Sequence, residues 1–344
     1  MNKDFWKNKK VLITGNTGFV GTWLTKWLEM VGADVYGYSD DVPEDSPYAT
    51  IYPKQREKDV FGDLCELEDA YYIKRLPSDI DIVFHLAAQA IVSEGYRRPN
   101  DTFFDNVMGT VCLYDYLLEH TAVKAIVTVT SDKCYVNDNS GKKFVETDPL
   151  GGKDPYSASK ACQEIVSSCY RESFFKAKGI RLATARAGNI VGGGDMGKDR
   201  LIPDCVKAAA RKEAVVLRNP NATRPFQYIL DALHGYILLA EKLYESDEYE
   251  GAWNFAPFMS ITAEEAVKAF YRWYPGMYEI TKDDSFVEAK TLVLDSSKAR
   301  EKLGWNPVYR TEQAVEVTAF NYKWWDKNRI DATIADYEGM LSGD

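Results

Sequence analysis

The stretch VLITGNTGFVGTWLTKWL, Val11–Leu28, decides the reading of the fold. Val11–Thr14 is a strand-length apolar run, Gly15, Gly18 and Gly21 interrupt it, and Trp23, Leu24, Trp27 and Leu28 then recur at the spacing of a buried helix face. Glycine permits a tight turn and lets a pyrophosphate approach the backbone, where the N–H groups of the helix N-terminus meet its charge. Glycine-rich turns also occur for structural reasons alone. A strand before and a helix after favour the dinucleotide site.

Outward from this unit the same alternation continues, with strand runs at Val11–Thr14, Asp34–Tyr38, Ile82–His85, Ala125–Thr130 and Leu182–Arg186 and helix-length amphipathic segments between them. That pattern predicts an α/β fold, a Rossmann-type doubly wound parallel sheet. Ligands of such sheets lie beyond the carboxyl ends of the strands, so the residues just after each run are the functional candidates. The second strand ends in Tyr38-Ser39-Asp40-Asp41, where a carboxylate can accept from the ribose hydroxyls of a dinucleotide. No Arg or Lys adjoins it, which points to NAD rather than NADP; the alternative is that Asp40 is a solvated loop residue. The predicted cofactor contacts are Gly15, Thr17, Gly18, Phe19, Gly21, Ser39, Asp40, Asp63, Leu64, Ala87 and Ala88, together with Tyr156 and Lys160.

From about Met196 the alternation breaks down, with Pro203, Pro220, Pro225, Pro257 and Pro275 separating shorter pieces. The expected division is a dinucleotide-binding domain with the catalytic residues over 1–195 and a smaller, mainly substrate-binding C-terminal domain over 196–344, the chain being free to cross back between them. The acidic stretch Asp331 to Asp344 reads as a weakly packed tail. A chain of 344 residues, 45% hydrophobic and 27% charged, has the composition to bury a full core. Its formal charge of -10 argues against a nucleic-acid or anionic-membrane surface. No apolar run is long enough to cross a bilayer, and MNKDFWKNKK lacks the apolar stretch of a signal peptide, so a cytoplasmic protein is expected. Six cysteines without a CxxC pair, beside only three histidines, show no metal-ligand spacing. No metal is expected.

Tyr156 and Lys160 place a phenol and an ammonium on one helix face, after Asp154-Pro155 and downstream of a strand ending Thr130-Ser131-Asp132-Lys133. The same spacing recurs at Tyr278/Lys282, away from the strand ends, and reads as accidental. For Tyr156 to act as a base near neutrality its pKa must fall from about 10 by three units, roughly 4 kcal/mol of anion stabilisation. Lys160 and the positive nicotinamide ring are the candidate sources, and Thr130 can orient the reacting hydroxyl.

TGNTGFVG (Thr14–Gly21), HLAAQ (His85–Gln89), TSDKCY (Thr130–Tyr135), DPLGGKDPYSASK (Asp148–Lys160) and ARAGNIVGGGD (Ala185–Asp195) together resemble the extended short-chain dehydrogenase/reductases. With DRLIPD (Asp199–Asp204) and RNPNATRPFQY (Arg218–Tyr228) the chain is similar to the CDP-glucose 4,6-dehydratases. The resemblance implies oxidation of the hexose at carbon 4, elimination of water across carbons 5 and 6, and return of the hydride to carbon 6. It also implies that Asp132 protonates the leaving carbon-6 hydroxyl and that Lys133 handles the carbon-5 proton, where the dTDP-glucose dehydratases carry an Asp-Glu pair. The alternative for Lys133 is simple pairing with Asp132. Gln89 and Asn189 are implied in substrate binding, and Arg224, Arg200 and Arg218 supply counter-charge to the substrate diphosphate. His85 reads as a hydrogen-bonded structural histidine, and Trp305, Phe320, Trp324 and Trp325 as C-terminal packing.

Ser93-Glu94 before Tyr96, and Phe226 and Tyr228, depart from the pattern of that family. A dehydratase of another nucleotide-diphosphate hexose, a nucleotide-sugar epimerase and a non-catalytic NAD-sensing protein are the other readings. A homodimer is expected through helices near Asp101–Glu119 and Tyr156–Lys176.

Overall fold

Val11 and Ile13 join one buried apolar cluster and Leu12 another. A strand whose alternate residues are buried on both sides belongs in the middle of a sheet covered by helices on each face. The computed structural model, which describes residues 1–44, 46–281 and 292–343, builds that sheet from seven strands. They are β1 (Lys10–Thr14), β2 (Asp34–Ser39), β3 (Asp59–Phe61), β4 (Ile82–His85), β5 (Ala125–Val129), β6 (Arg181–Ala187) and β7 (Gly251–Phe255). All pair in parallel, in the order β7-β6-β5-β4-β1-β2-β3. The order reverses between β1 and β4, the switch point at which a doubly wound sheet opens a ligand crevice.

Helices α1 (Phe19–Met30) and α5 (Ile229–Glu245) bury Trp23, Trp27, Leu233 and Ile237 on the face of Val11 and Ile13. On the face of Leu12, α2 (Gly109–His120) contributes Leu113, Tyr114 and Leu117, and α3 (Pro155–Tyr170) adds Val166 and Tyr170. The five runs expected from the sequence are all present. β3 and β7 extend them at the two edges, and β7 aligns Gly251 with Ala183 and Phe255 with Ala187, so the chain crosses back to the sheet after residue 195. Beyond β6 lie α4 (Leu201–Arg211), α6 (Ala263–Tyr271) and α7 (Thr311–Lys323), and outside the main sheet the described residues form four two-stranded ladders. One ladder sets Gln227–Tyr228 beside Ile190–Val191; another pairs Thr223–Arg224 with Ile261–Thr262.

The C-terminal stretch departs from expectation. It is not a loose tail but a helix, α8 (Lys327–Ser342), with Ile330, Ile334 and Tyr337 buried at the i, i+4, i+7 positions of one face. Tyr337 donates to buried Asp231 at 2.6 Å, and Trp27 donates to Glu338 at 2.8 Å. Its acidic composition hid a narrow apolar stripe. Trp305 is fully buried and Trp325 packs 5.8 Å from Trp23, whereas Phe320 and Trp324 remain exposed. Lys282 lies outside the described residues.

Candidate active site

Gly15 leaves β1 with φ of +71°, a conformation that glycine adopts without strain. A β-carbon on Gly21 would lie 2.0 Å from the Gly15 carbonyl oxygen, so α1 can start hard against the turn only because that position is glycine. Gly18, the N-cap, brings no side chain to the first N–H groups of the helix, which leaves them for an anion. Phe19 follows, buried against Gly192. Thr17 donates to the Asp41 carbonyl at 2.7 Å and Ser39 donates to Asn16 Oδ1 at 2.8 Å, tying the end of β2 to the turn. Asp40 is exposed and, among the described residues, accepts only from the Asp41 N–H. Asp63 accepts from the Cys65 N–H and caps the turn that carries buried Leu64. Ala87 donates its N–H to Thr14 at 3.3 Å beside the glycine turn, and Ala88 follows it.

A further carboxylate, Asp105, belongs to this end, and no motif pointed to it. Burial raises its pKa, and Asp63, Asp101 and Asp40 raise it further. An anionic field of this kind suits ribose hydroxyls and opposes a 2′-phosphate. Open helix N–H groups, a glycine cradle and a carboxylate at the end of β2 fit a dinucleotide such as NAD.

The reacting end is built where β5 meets α3. Thr130 donates its N–H to Ala185 at 2.9 Å, and Ser131 then accepts from the Lys133 N–H at 3.2 Å, closing a single turn over Asp132–Cys134. Asp154 accepts from the Ser157 N–H at 2.9 Å and Pro155 opens α3, which puts Tyr156 in the first turn and Lys160 one turn later. The helix packs against the Asp132–Cys134 turn. Thr130, Asp132, Tyr156 and Lys160 are thereby gathered, each at most 9% exposed. Lys133 is half-buried, its Nζ 5.9 Å from the Tyr156 ring centroid, and it makes no ion pair with Asp132 among the described residues.

Burial dominates the electrostatics. It pushes the Tyr156 phenol up to about 12, with Ser131 and Arg200 opposing and Asp132 assisting. The protein alone therefore holds a neutral phenol, not the phenolate that the sequence reading requires. Lys160 does not turn to it: the ammonium donates to Gln163 Oε1 at 2.9 Å and the Val129 carbonyl at 3.3 Å. Burial pushes Lys160 down to about 8, against Glu164 and Cys134. Burial also raises the Asp132 carboxyl, against Lys133, Ser131 and Arg224, and so favours a protonated acid. Thr130 donates its hydroxyl proton to Glu164 at 2.5 Å and faces outward only with lone pairs. Glu164 itself is locked by Arg186 at 2.7 Å and Thr184 at 2.7 Å. His85 is wholly buried between Thr14 and Thr110 and pushed down to about 3, a neutral structural histidine.

The expected substrate contacts divide. Gly188 stands so close to Asp132 that a β-carbon there would be 3.0 Å from its carboxylate, with Pro225 at 3.5 Å, so the Asn189 and Arg224 loops converge on the acid. Asn189 is exposed, its carbonyl accepting from the Gln227 N–H at 2.9 Å. Arg200 acts on Tyr156 but is held by Asp195 at 3.0 Å. Arg218 faces Asp204. Gln89 is turned inward: its amide donates to Thr102 at 2.8 Å and accepts from the Ile91 N–H at 2.5 Å.

A Rossmann sheet with an acid, an amine and a buried Tyr/Lys pair beyond the end of β5 defines a class of nucleotide-dependent enzymes, and the chain belongs to the GDP-mannose 4,6 dehydratase family, whose model matches residues 12–318. Within it, the chain is 38% identical to the CDP-glucose 4,6-dehydratase of Salmonella typhimurium over 94% of this chain and 93% of that protein. The dTDP-D-glucose 4,6-dehydratase of Bos taurus is 24% identical over 93% of this chain and 89% of that protein. Among solved structures, the epimerase Mth375 of Methanothermobacter thermautotrophicus shares the fold at a TM-score of 0.80 and 20% identity, covering 97% of this chain and 96% of that one. A dTDP-glucose 4,6-dehydratase from Streptomyces venezuelae, with NAD bound, does so at 0.77 and 22%, covering 92% and 98%.

Proposed function

We propose that this chain converts CDP-D-glucose to CDP-4-keto-6-deoxy-D-glucose with NAD. The observation that carries the reading is Asp132-Lys133 at the end of β5: a buried carboxyl whose pKa burial raises, next to an amine that forms no ion pair among the described residues, over the Tyr156 ring. An epimerase has no use for that acid and base. The 38% identity to a CDP-glucose 4,6-dehydratase supports the same substrate.

In this reading Tyr156 takes the carbon-4 hydroxyl proton while Thr130, its own proton committed to Glu164, accepts from the sugar and sets its orientation. The ketone at carbon 4 acidifies carbon 5. Lys133 then removes the carbon-5 proton and Asp132 protonates the carbon-6 hydroxyl as it departs. When bound, NAD supplies the two-electron oxidation at carbon 4 and its reversal at carbon 6, and a positive charge beside Tyr156. Residues 1–195 hold the cofactor and the reacting groups and 196–344 mainly the nucleotide sugar, with Asn189 and Arg224 toward the diphosphate and Arg200 and Arg218 further out.

The chain has no described helix long and apolar enough to cross a membrane, and its cysteines are free thiols, which supports a cytoplasmic enzyme. A homodimer is supported by the exposed Phe103, Phe104, Met108, Ile165 and Phe174 on the neighbouring segments 99–120 and 155–178.

Product analysis with a panel of nucleotide-diphosphate hexoses tests the function. CDP-glucose deuterated at carbon 4 should lose water and carry the label at carbon 6, without net consumption of NAD, and heavy water should label carbon 5. A product of unchanged mass would make the chain an epimerase, faster turnover of another nucleotide sugar would move the substrate, and no reaction at all would leave a non-catalytic NAD-binding protein.

A further inference from the structure

Gln163 is wholly buried one turn after Lys160, and its amide bridges two groups: Oε1 is 2.9 Å from Lys160 Nζ and Nε2 is 2.8 Å from Thr110 Oγ1. Hydrogen-bond logic fixes which end is which. Thr110 donates its one hydroxyl proton to the Asn106 carbonyl at 2.7 Å, so toward every other neighbour it can only accept. His85 Nε2 lies 2.9 Å from the same oxygen and 3.3 Å from Gln163 Nε2, and its Nδ1 lies 2.7 Å from Thr14 Oγ1. The end of Gln163 facing Thr110 must therefore be the NH2, and its carbonyl must face Lys160.

We propose that Gln163 is a positioning residue for Lys160: its carbonyl, locked by Thr110, holds the ammonium against the end of β5 in its charged form, with one N–H left for a ligand. The inference rests on the placement of Lys160 in the site described above. Four other groups face or adjoin that ammonium: Glu164 and Tyr156 on α3, Cys134 from the turn after β5, and His85 from β4. Glu164 and Cys134 favour the charge, and His85 is neutral throughout the working range. Because burial already brings Lys160 down to about 8, one acceptor more or less changes its charge at ordinary pH.

The test follows the Lys160 side chain by NMR titration in the full chain without nucleotide, alongside the pH profile of kcat/KM. In Gln163→Met the midpoint should fall by about one pH unit, the effect of one lost hydrogen bond to a charged group. In Gln163→Glu it should rise by about as much or more, since an anion replaces a dipole. The alkaline limb of kcat/KM should move in the same order. A Gln163 that merely fills the core would lower the melting temperature of both variants and leave the midpoint in place, which would overturn the inference. Should Gln163→Met fail to fold, Gln163→Glu decides alone, and an unmoved or lowered midpoint refutes the proposal. Midpoints that move while the alkaline limb stays still would uphold the Gln163 contact and remove Lys160 from the reaction.

Discussion

Lys133 stands over the Tyr156 ring without an ion pair to Asp132, and after its removal Ser131 and Arg224 still act on the buried carboxyl. Lys133→Ala should therefore fold and melt as the parent does, yet form product roughly 10²–10⁴-fold more slowly, the usual contribution of a positioned acid or base. Near-parental turnover in a folded sample would reduce the residue to a structural one. Asp40 follows β2 at the proposed ribose end of the site, where Asp63 and Asp105 share its sign. Calorimetry should find NAD bound more tightly than NADP; the opposite order would refute that assignment. The side chains proposed to react stood out in the sequence because they cluster in motifs at strand ends. Glu164, Gln163, Ser131 and Asp105 did not, because their roles are contacts made across elements and not spacings along the chain.

At the scale of elements, the glycine turn offers a separation of two effects. A β-carbon at Gly18 would come no closer than 3.4 Å to the Gly15 carbonyl, ordinary contact, whereas at Gly21 it would lie 2.0 Å from the same oxygen. Gly18→Ala should keep the parental melting temperature but weaken NAD, since the added methyl crowds the helix N-terminus. Gly21→Ala should lose both stability and binding, because backbone rather than a movable side chain is in the way. Equal loss of stability in the two variants would show that the turn is not built as described. The segments 99–120 and 155–178 make a second case: Phe104→Asp and Ile165→Asp should sediment as monomers if those exposed apolar residues join two copies. A dimer that persists in both variants would place the contact elsewhere. The five interior strands were legible from apolar runs alone. β3 and β7 were not: one has three residues, and the other is the short GAWNF within a proline-punctuated stretch.

For the molecule as a whole, Asp231 joins the last helix to the core. It accepts from Tyr337 at 2.6 Å and from the Val308 N–H at 2.7 Å, and burial pushes its pKa up to about 6. A carboxyl raised in the fold binds its proton more tightly there than in the unfolded chain. Its stabilising contribution is thus present below about pH 4 and is lost as pH rises through about 6, amounting to about 3 kcal/mol. Denaturant unfolding of the parent and of Asp231→Asn at pH 4 and pH 7 should show the parent losing that much relative to the variant. A constant difference between the two proteins would mean that the carboxyl titrates normally.

Sequence periodicity and motif order were sufficient to determine the parallel α/β sheet and the glycine turn and to single out the proposed reacting groups, since each of these depends on residues within one strand-turn-helix unit. Charge state and orientation were beyond its reach. That Tyr156 is a neutral phenol in the protein alone, that Lys160 turns to Gln163, that Gln89 faces inward and that the acidic C-terminus is a packed helix all depend on burial and on partners far along the chain. Desolvation and long-range hydrogen bonds are properties of the folded interior, and no local pattern of residues encodes them.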